Sequence, residues 1–283
     1  MRIARVARPD GHYLARIDGD AVVPVVRESG RPSEDVLRDL LPSTSVHELR
    51  PIADTTPLAG ARLLAPVRAP QKILAVGLNY RDHADEAGLP LPQRPEIFLK
   101  TPNCLAGNGN PIEIPVGVSE QVDHEAELAV VVGRRARNVD AASALDHVLG
   151  YTVANDISAR DVQFGDLQFT RGKCCDTFCP LGPWIVGADE MADPQDLAVT
   201  CEVNGERRQD GTTADMVFTV AEIIAFASSF LTLEPGDVIL TGTPAGVGSA
   251  RVPPSYLRPG DVVTTTVAGI GTLSNPVVGR PAG

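Results

Sequence analysis

The segment 124–133, read His-Glu-Ala-Glu-Leu-Ala-Val-Val-Val-Gly, places the strongest constraint on how this chain folds. It alternates polar and apolar residues and then continues into β-branched residues, which predicts a β-strand. Residues two apart on a strand share a face, with Cα atoms roughly 6.5–7 Å apart. We therefore expect Glu125 and Glu127 to point to one face and Leu128, Val130 and Val132 to the other.

Two carboxylates on one strand face allow two interpretations. Like charges side by side repel unless a cation lies between them, and a hard divalent ion held by carboxylate oxygens removes that repulsion. The alternative is a solvated strand face that carries two surface glutamates. The pair by itself leaves both interpretations open, and the choice depends on what the rest of the chain brings to Glu125 and Glu127.

Composition limits the class of protein and its partners. The chain has 283 residues, of which 43% are hydrophobic and 22% charged, as in globular proteins with a sizeable core. Its 26 glycines and 24 prolines favour a turn-rich, β-rich chain. The net charge of −11 argues against nucleic acid and anionic membranes as partners, whereas a local cation cluster can still attract a small anionic substrate.

Compartment and redox state are also predicted. There is no signal-peptide pattern and no apolar run near the ~20 residues that span a bilayer. Five cysteines, an odd number, suit reduced thiols in the cytoplasm better than a disulfide framework. A zinc site at Cys175 and Cys179 lacks a second Cys/His pair at ligand spacing, so we interpret these two cysteines as small buried hydrophobic residues.

Two units are expected along the chain. Residues 1–66 form a small N-terminal α/β domain, with three short strand-like runs and a helix over Glu34–Leu41. A proline-marked connection then leads to a larger domain over residues 70–283. Nothing in the first unit is chemically suggestive.

The first candidate catalytic pair lies early in the larger domain. Asn79 as N-cap and Gly88 as C-terminal residue predict a helix of about two turns, on which His83 and Glu86 are neighbours at i and i+3. A carboxylate that contacts an imidazole raises its basicity and fixes its tautomer, which is how a general base is built. The alternative is a surface ion pair on a short exposed helix.

Further candidates follow the central strand. A strand over 150–155 ends at Asp156, and a helical turn after it places Arg160 and Gln163 on one face. A short helix over Ala141–Leu149 is expected to bury Leu145. Asn204-Gly205 predicts a hairpin turn between strands Leu197–Val203 and Asp215–Thr219. The glycine-rich segment 242–248 matches no phosphate-loop pattern, although its backbone N–H groups and the Thr243 hydroxyl can bind an anion.

Taken together, these segments resemble the fumarylacetoacetate hydrolase family. The resemblance spans roughly residues 70–280, and the motifs occur in the family's order. The matching pieces are Val76-Gly77-Leu78-Asn79-Tyr80 with His83 and Glu86, Glu125-x-Glu127-Leu128, Gly150-Tyr151-Thr152 with Asn155-Asp156, Ala159-Arg160-Asp161 with Gln163, Gly172-Lys173 with Asp176-Thr177, Gly182-Pro183, Val203-Asn204-Gly205-Glu206, Leu233-x-Pro235-Gly236-Asp237 and Thr241-Gly242-Thr243-Pro244.

The resemblance implies a fold and a site. The fold is mainly β with short helices (α+β): a mixed β-sandwich roll or barrel, usually a homodimer, that binds Mg²⁺ or Mn²⁺, with residues 1–66 as a variable N-terminal extension. By position, the site residues are the metal ligands Glu125, Glu127 and Asp156, the water-activating dyad His83 and Glu86, the catalytic Lys173, and the substrate-binding residues Arg160, Gln163 and Thr243.

Two positions depart from the family's pattern. Val76 stands where larger members carry a further acidic metal ligand, so we expect three carboxylates, with water or substrate completing the coordination. Cys174 stands where relatives often carry a small hydroxyl residue.

These residues together predict a reaction. A 2-oxo acid chelates a hard ion, and the ion stabilises the enolate left when a C–C bond breaks. We therefore expect hydrolysis of an acylpyruvate or related 2,4-dioxo acid to pyruvate and a carboxylate, with His83 activating water. An oxaloacetate decarboxylase or an isomerase of unsaturated 2-oxo diacids would use the same enolate without an attacking water. A non-catalytic module that holds a structural ion is the alternative from another class.

Overall fold

The structure of the protein is a computed structural model that describes residues 1–28, 37, 50–166 and 168–280. The helix predicted over Glu34–Leu41 lies outside the described residues except for Leu37, which is helical and buried. No helix in the described ranges has the length and apolar character needed to cross a bilayer.

Strands dominate the described part of the chain, which confirms the prediction of a mainly β fold with short helices. The helices are α1 (Arg81–Ala87), α2 (Arg160–Gly165), α3 (Thr170–Lys173) and α4 (Val220–Phe230). The strands are β1 (Arg2–Arg8), β2 (Gly11–Asp18), β3 (Ala21–Arg27), β4 (Thr56–Pro57), β5 (Arg62–Leu64), β6 (Ile73–Gly77), β7 (Glu96–Lys100), β8 (Leu105–Ala106), β9 (Ile112–Pro115), β10 (Val122–Asp123), β11 (Ala126–Val132), β12 (Val148–Asn155), β13 (Ser158–Ala159), β14 (Cys179–Gly187), β15 (Ala198–Val203), β16 (Glu206–Thr212), β17 (Val238–Leu240), β18 (Val262–Val267) and β19 (Gly271–Arg280).

Two sheets account for most of these strands. The larger one follows the order β4-β3-β2-β1-β14-β12-β11-β17-β6-β7, with β5 paired to β1 and β8 to β14. The smaller one follows the order β16-β15-β18-β19-β9. The N-terminal strands extend the larger sheet, because β1 pairs antiparallel with β14. The division at residue 66 remains a prediction.

Strand β11 lies in the middle of the larger sheet, between β12 and β17, and is buried along its whole length. Leu128, Val130 and Val132 contribute to the core that also contains buried residues of the smaller sheet. Ala129 and Val131 contribute to a second core on the opposite face. A strand covered on both faces explains the nearly continuous apolar run.

The Asn204-Gly205 turn is confirmed, but the strand predicted after it is wrong. Both turn residues have positive φ, 55° and 79°, as a two-residue hairpin turn requires. The returning strand is β16, which starts directly at Glu206, and Asp215 already ends a short 3₁₀ turn. The polar composition of β16 conceals the strand, because this hairpin arm is largely exposed.

Two local predictions are also wrong. In place of a helix over Ala141–Leu149, the chain forms a single 3₁₀ turn over Ala144–His147, and Leu145 is 41% exposed. Helix α1 ends at Gly88 in the left-handed conformation, as predicted, but Asn79 does not cap it. The Asn79 amide instead bridges the backbones of Phe218 and Thr241, which ties the start of the helix to two distant segments.

Candidate active site and metal centre

Three carboxylates converge where β11 and β12 lie side by side. The antiparallel register pairs Ala126 with Asn155, so Glu125 and Asp156 lie opposite each other just beyond the paired ends. The Asp156 N–H donates to the Glu125 carbonyl at 2.8 Å and fixes this approach. One oxygen each of Glu125, Glu127 and Asp156 lies within 4.8 Å of the others, and all three residues are buried. Among the described residues, no other group of three His, Cys, Asp or Glu is placed to hold a metal.

Glu125 is strongly compensated by cations. Lys173 Nζ lies 2.6 Å from its Oε2, and Arg160 Nη1 lies 2.6 Å from its Oε1. Burial alone would raise the pKa of Glu125, but the charges of Lys173 and Arg160 outweigh burial and hold that pKa well below its ordinary value. Glu125 is therefore a carboxylate anion at neutral pH.

Glu127 differs, because no Lys or Arg of the described chain forms an ion pair with it. Glu127 Oε2 accepts a hydrogen bond from the Gly242 N–H at 2.7 Å. Burial, together with the neighbouring charges of Asp156 and Glu125, raises the pKa of Glu127 well above its ordinary value. Among the described residues, Glu127 is thus the one carboxylate of the triad that no cation contacts. An oxygen-only donor set that includes a carboxylate without a cation fits a hard divalent ion such as Mg²⁺ or Mn²⁺.

Asp156 is held by two lysines, one of which the sequence analysis missed. Lys173 Nζ lies 3.0 Å from its Oδ2, and Lys100 Nζ lies 2.6 Å from its Oδ1. The Lys100 side chain is fully buried and also donates to the Lys173 carbonyl. Burial lowers the pKa of Lys100, but the charge of Asp156 outweighs burial and raises it overall. The sequence offered one signal for Lys100, which is its position at the end of the predicted strand Glu96–Lys100. A lysine that such a strand carries into the interior is almost never fully buried unless an acidic group pairs with it.

Arg160 occupies a buried network next to the triad. Its Nη1 donates to the Gln163 side-chain oxygen at 3.0 Å, which confirms that the two side chains share one face of α2. Its Nε donates to Asp123 at 2.9 Å, and the backbone N–H groups of Gly248 and Ser249 hold that aspartate in turn. Arg160 Nη2 is buried without a hydrogen-bond partner.

The glycine-rich segment 242–248 uses its backbone N–H groups on the protein's own carboxylates. Gly242 donates to Glu127, and Gly248 donates to Asp123. Between them, Ala245 and Gly246 donate to acidic side chains of helix α1. The sequence predicted that these backbone donors can bind an anion. In the structure the anions are carboxylates of the protein itself, and these hydrogen bonds position the site.

Helix α1 carries the predicted base dyad. His83 Nδ1 lies 3.3 Å from Glu86 Oε2, and the other Glu86 oxygen accepts the Gly246 N–H at 2.9 Å. Asp82 accepts the Ala245 N–H at 3.2 Å. The dyad is therefore held against the segment that also holds Glu127 and Asp123, and is not an isolated surface pair.

Thr243 directs its hydroxyl inward. The hydroxyl donates to the Ala126 carbonyl at 2.8 Å and accepts from the Gln209 amide at 2.7 Å. Its proton is already used, so towards a ligand this hydroxyl can act only as an acceptor.

One cavity of about 470 Å³ brings these groups together. Of the nine predicted site residues, all except Asp156 border it. Val76 also borders it and supplies no ligand atom, as the sequence departure implied. Apolar side chains complete the wall: Leu89, Phe98, Phe164, Phe169 and Val247. The cavity thus combines charged and apolar side chains, and Lys173 Nζ lies 5.3 Å from the centre of the Phe98 ring.

Known families and proteins match this arrangement. The family described as "Fumarylacetoacetate (FAA) hydrolase C-terminal" matches residues 72–278, and "Rv2993c-like, N-terminal" matches residues 1–66. Protein Rv2993c of Mycobacterium tuberculosis is 45% identical over 99% of this chain and 100% of its own length. The mitochondrial oxaloacetate tautomerase fahd2 of Xenopus laevis is 50% identical over 76% of this chain and 68% of its own length. The crystal structure titled 5-carboxymethyl-2-hydroxymuconate delta-isomerase, from Mycobacterium smegmatis, is 40% identical with a TM-score of 0.81, covering 99% of this chain and 100% of that one.

Proposed function

This chain belongs to the fumarylacetoacetate hydrolase family, and from that membership we propose that it is a divalent-metal-dependent enzyme that forms the enolate of a 2-oxo acid. One observation carries the proposal: the His83–Glu86 dyad and the carboxylates Glu125 and Glu127 border the same cavity. A structural ion needs no base beside it, whereas enolate chemistry needs both.

Glu125, Glu127 and Asp156 are the residues that would hold Mg²⁺ or Mn²⁺, because such an ion would supply the positive charge that Glu127 lacks among the described residues. When bound, the ion supplies Lewis-acid stabilisation of negative charge on the oxygens of the 2-oxo acid.

His83 is proposed to move the proton. Its contact with Glu86 places the imidazole proton on Nδ1 and leaves Nε2 as the acceptor. In an enolisation, Nε2 takes a proton from the carbon beside the keto group. The Gly246 N–H holds Glu86 in place, so the imidazole keeps one orientation during the transfer.

Cationic groups face the developing negative charge. Lys173 borders the cavity with its ammonium group between Glu125 and Asp156. Arg160 borders it with the buried NH₂ group Nη2, which has no partner in the described part of the chain and is a donor available to a substrate carboxylate. Gln163 and Thr243 complete this end of the cavity and are proposed to contact the substrate.

Tautomerisation or isomerisation of a 2-oxo diacid is the best supported reaction. It needs one base and an enolate, and relatives 40–50% identical to this chain are named oxaloacetate tautomerase and hydroxymuconate isomerase. Oxaloacetate decarboxylation would use the same enolate, and the assay described below also measures it.

Hydrolysis of an acylpyruvate, the reaction predicted from the sequence, is the second candidate. The observation that favours it is the apolar wall formed by Phe98, Phe164 and Phe169, which suits a substrate with an apolar acyl group. Here His83 would take its proton from water, and the products would be pyruvate and a carboxylate.

The test uses the purified protein with Mg²⁺ or Mn²⁺. Interconversion of enol and keto oxaloacetate is followed by ultraviolet absorbance, and pyruvate release is followed from oxaloacetate and a panel of acylpyruvates. We expect tautomerisation, and His83→Ala should lower it by about 10²-fold or more. His12→Ala is the matched control, since the His12 side chain is 49% exposed and lies outside the cavity.

Each outcome of these assays supports one of the candidate functions. Pyruvate from acylpyruvates selects hydrolysis, and pyruvate from oxaloacetate with a small effect of His83→Ala selects decarboxylation. If no 2-oxo acid turns over but a chelator lowers the melting temperature, the protein is a metal-binding module and the proposal fails. The homodimer implied by the family resemblance is part of the proposal, and light scattering measures it.

A further inference from the structure

The interpretation of Cys175 and Cys179 as small buried hydrophobic residues is confirmed for Cys179 and is wrong for Cys175. Cys104, Cys179 and Cys201 are buried, but Cys174 and Cys175 are partly exposed. Cys174 directly follows Lys173, and Cys104 ends a short turn after strand β7.

The segments that carry Cys104 and Cys174 are tied together by several contacts. Cys104 Sγ lies 3.8 Å from the Lys173 carbonyl oxygen, and the Asn103 side chain donates to the Cys174 carbonyl at 3.0 Å. Because Cys174 directly follows Lys173, Cys104 lies against the peptide bond that leads into Cys174, and each thiol affects the pKa of the other. The two cysteines are therefore neighbours in the fold.

The two thiols have opposite environments. Cys104 has no exposed surface, whereas Cys174 borders an open groove of about 930 Å³ together with Thr101 and Arg171. Interaction with the Cys104 thiol, with help from Thr101 and the charge of Lys100, lowers the pKa of Cys174, although burial opposes this. The neighbouring Cys175 experiences the reverse, because burial raises its pKa. Thiolate character and access favour oxidation at Cys174.

We propose that Cys104 and Cys174 form a redox-active pair that hydrogen peroxide converts to an intrachain disulfide. The Cys174 thiolate attacks one peroxide oxygen, so an S–O bond forms, the O–O bond breaks, and the leaving hydroxide takes a proton to become water. Cys104 then loses its proton and attacks the Cys174 sulfenic sulfur; an S–S bond forms and the S–O bond breaks, releasing a second water. Two thiols are oxidised by two electrons overall, and one peroxide is reduced.

The disulfide acts on the site through Lys173. The Lys173 carbonyl accepts from both Lys100 and Cys104, so Cys104 helps to position the backbone that carries the catalytic ammonium group. An S–S bond of about 2.05 Å draws the two sulfurs together and removes the Cys104 contact to this carbonyl. Displacements of about 1 Å in a catalytic group cost up to roughly 10²-fold in rate, so we expect oxidation to lower activity at least about tenfold.

The experiment treats the full-length protein, loaded with Mg²⁺, with hydrogen peroxide. Peptide mapping without reductant should show a Cys104–Cys174 cross-link, activity should fall, and a thiol reductant should reverse both. Cys174→Ser should neither cross-link nor lose activity. In Cys104→Ser, oxidation should stop at a sulfenic acid on Cys174, which a 1,3-dione reagent labels. Cys175→Ser is the matched control and should respond as the wild type does.

Absence of the cross-link in the oxidised wild type overturns the proposal, and this readout does not depend on the reaction assigned to the enzyme. Inactivation of Cys174→Ser at the wild-type rate also overturns it. A cross-linked protein with full activity overturns the connection to Lys173.

Discussion

Replacing Lys100 with methionine removes a buried cation that no sequence motif pointed to, and its cost follows from the contacts of Asp156. The Lys100 side chain is 0% exposed and the Asp156 side chain 1%, with Nζ and Oδ1 2.6 Å apart. Methionine has similar length and no charge. The variant therefore leaves the packing nearly unchanged and deprives a buried carboxylate of one of its two lysines.

The expected loss of stability in Lys100→Met follows from the free-energy cost of a buried charge without its partner. Removing one partner of a buried ion pair destabilises a protein by about 3–5 kcal/mol. For a chain of this length, about 2–3 °C per kcal/mol gives a fall in melting temperature of roughly 6–15 °C. A divalent cation at the triad would supply positive charge beside Asp156, so we expect the deficit to shrink when Mn²⁺ is saturating.

The assay is chemical and thermal unfolding of a double-mutant cycle, Lys100→Met, Asp156→Asn and both together, with and without Mn²⁺. The double variant should be more stable than the sum of the single effects predicts, by about 1–3 kcal/mol, because it leaves neither charge of this pair alone. Lys72→Met is the control: Lys72 lies 2.7 Å from Asp237, a lysine–aspartate pair away from the triad. Its deficit should not respond to Mn²⁺.

Two results would refute this reasoning. A loss below about 1 kcal/mol in metal-free Lys100→Met would mean that Asp156 does not need Lys100. An Mn²⁺ effect of equal size on the deficits of Lys100→Met and Lys72→Met would mean that the ion does not act at Asp156.

Three further predictions concern the metal, pH and the hairpin. Glu127→Gln should abolish the stabilisation by Mg²⁺ or Mn²⁺ in a thermal melt while leaving the metal-free protein at least as stable, since Gln carries no uncompensated charge; a wild-type metal shift would contradict this. Burial raises the pKa of Glu28, but its hydrogen bonds to Arg5 (2.5 and 2.9 Å) outweigh burial and lower that pKa below 4.5. The stabilisation of the fold by the Glu28–Arg5 pair is therefore present above pH 4.5 and is lost as the pH falls through the pKa of Glu28 in the folded state. The stability gap between wild type and Glu28→Gln should therefore close on acidification, and a gap that widens would refute it. Gly205→Ala, at φ 79°, should cost about 1–2 kcal/mol in urea unfolding, whereas an unchanged midpoint would show that the turn tolerates a Cβ.

Local patterns were sufficient for much of the fold. Period-two alternation predicted the central strand and the faces of Glu127 and Leu128, because neighbours on one strand fix which way a side chain points. Asn204-Gly205 predicted its turn because few residues adopt two successive positive φ angles. The returning strand Glu206–Thr212 was missed, since its pairing partner and not its composition makes it a strand.

The predicted site residues were recognised by residue type and spacing, and by resemblance to a family. Lys173 and Arg160 were among them, but the other groups that hold these side chains in place were not predicted. Lys100 and Asp123 belong to no motif considered, and the backbone donors of 242–248 carry no side-chain signature. Asn79 fitted a helix cap locally, but in the fold it joins segments more than a hundred residues away.

The sequence by itself therefore determined the central strand and the Asn204-Gly205 turn, which acidic and basic side chains are present, and the family to which they belong. Only the tertiary structure decided which carboxylate is paired with lysine, which one lacks a cation, and which thiols meet beside Lys173. The physical reason is that burial and Coulomb interactions depend on distance in space, and the closest charges here are 17 to 56 residues apart along the chain.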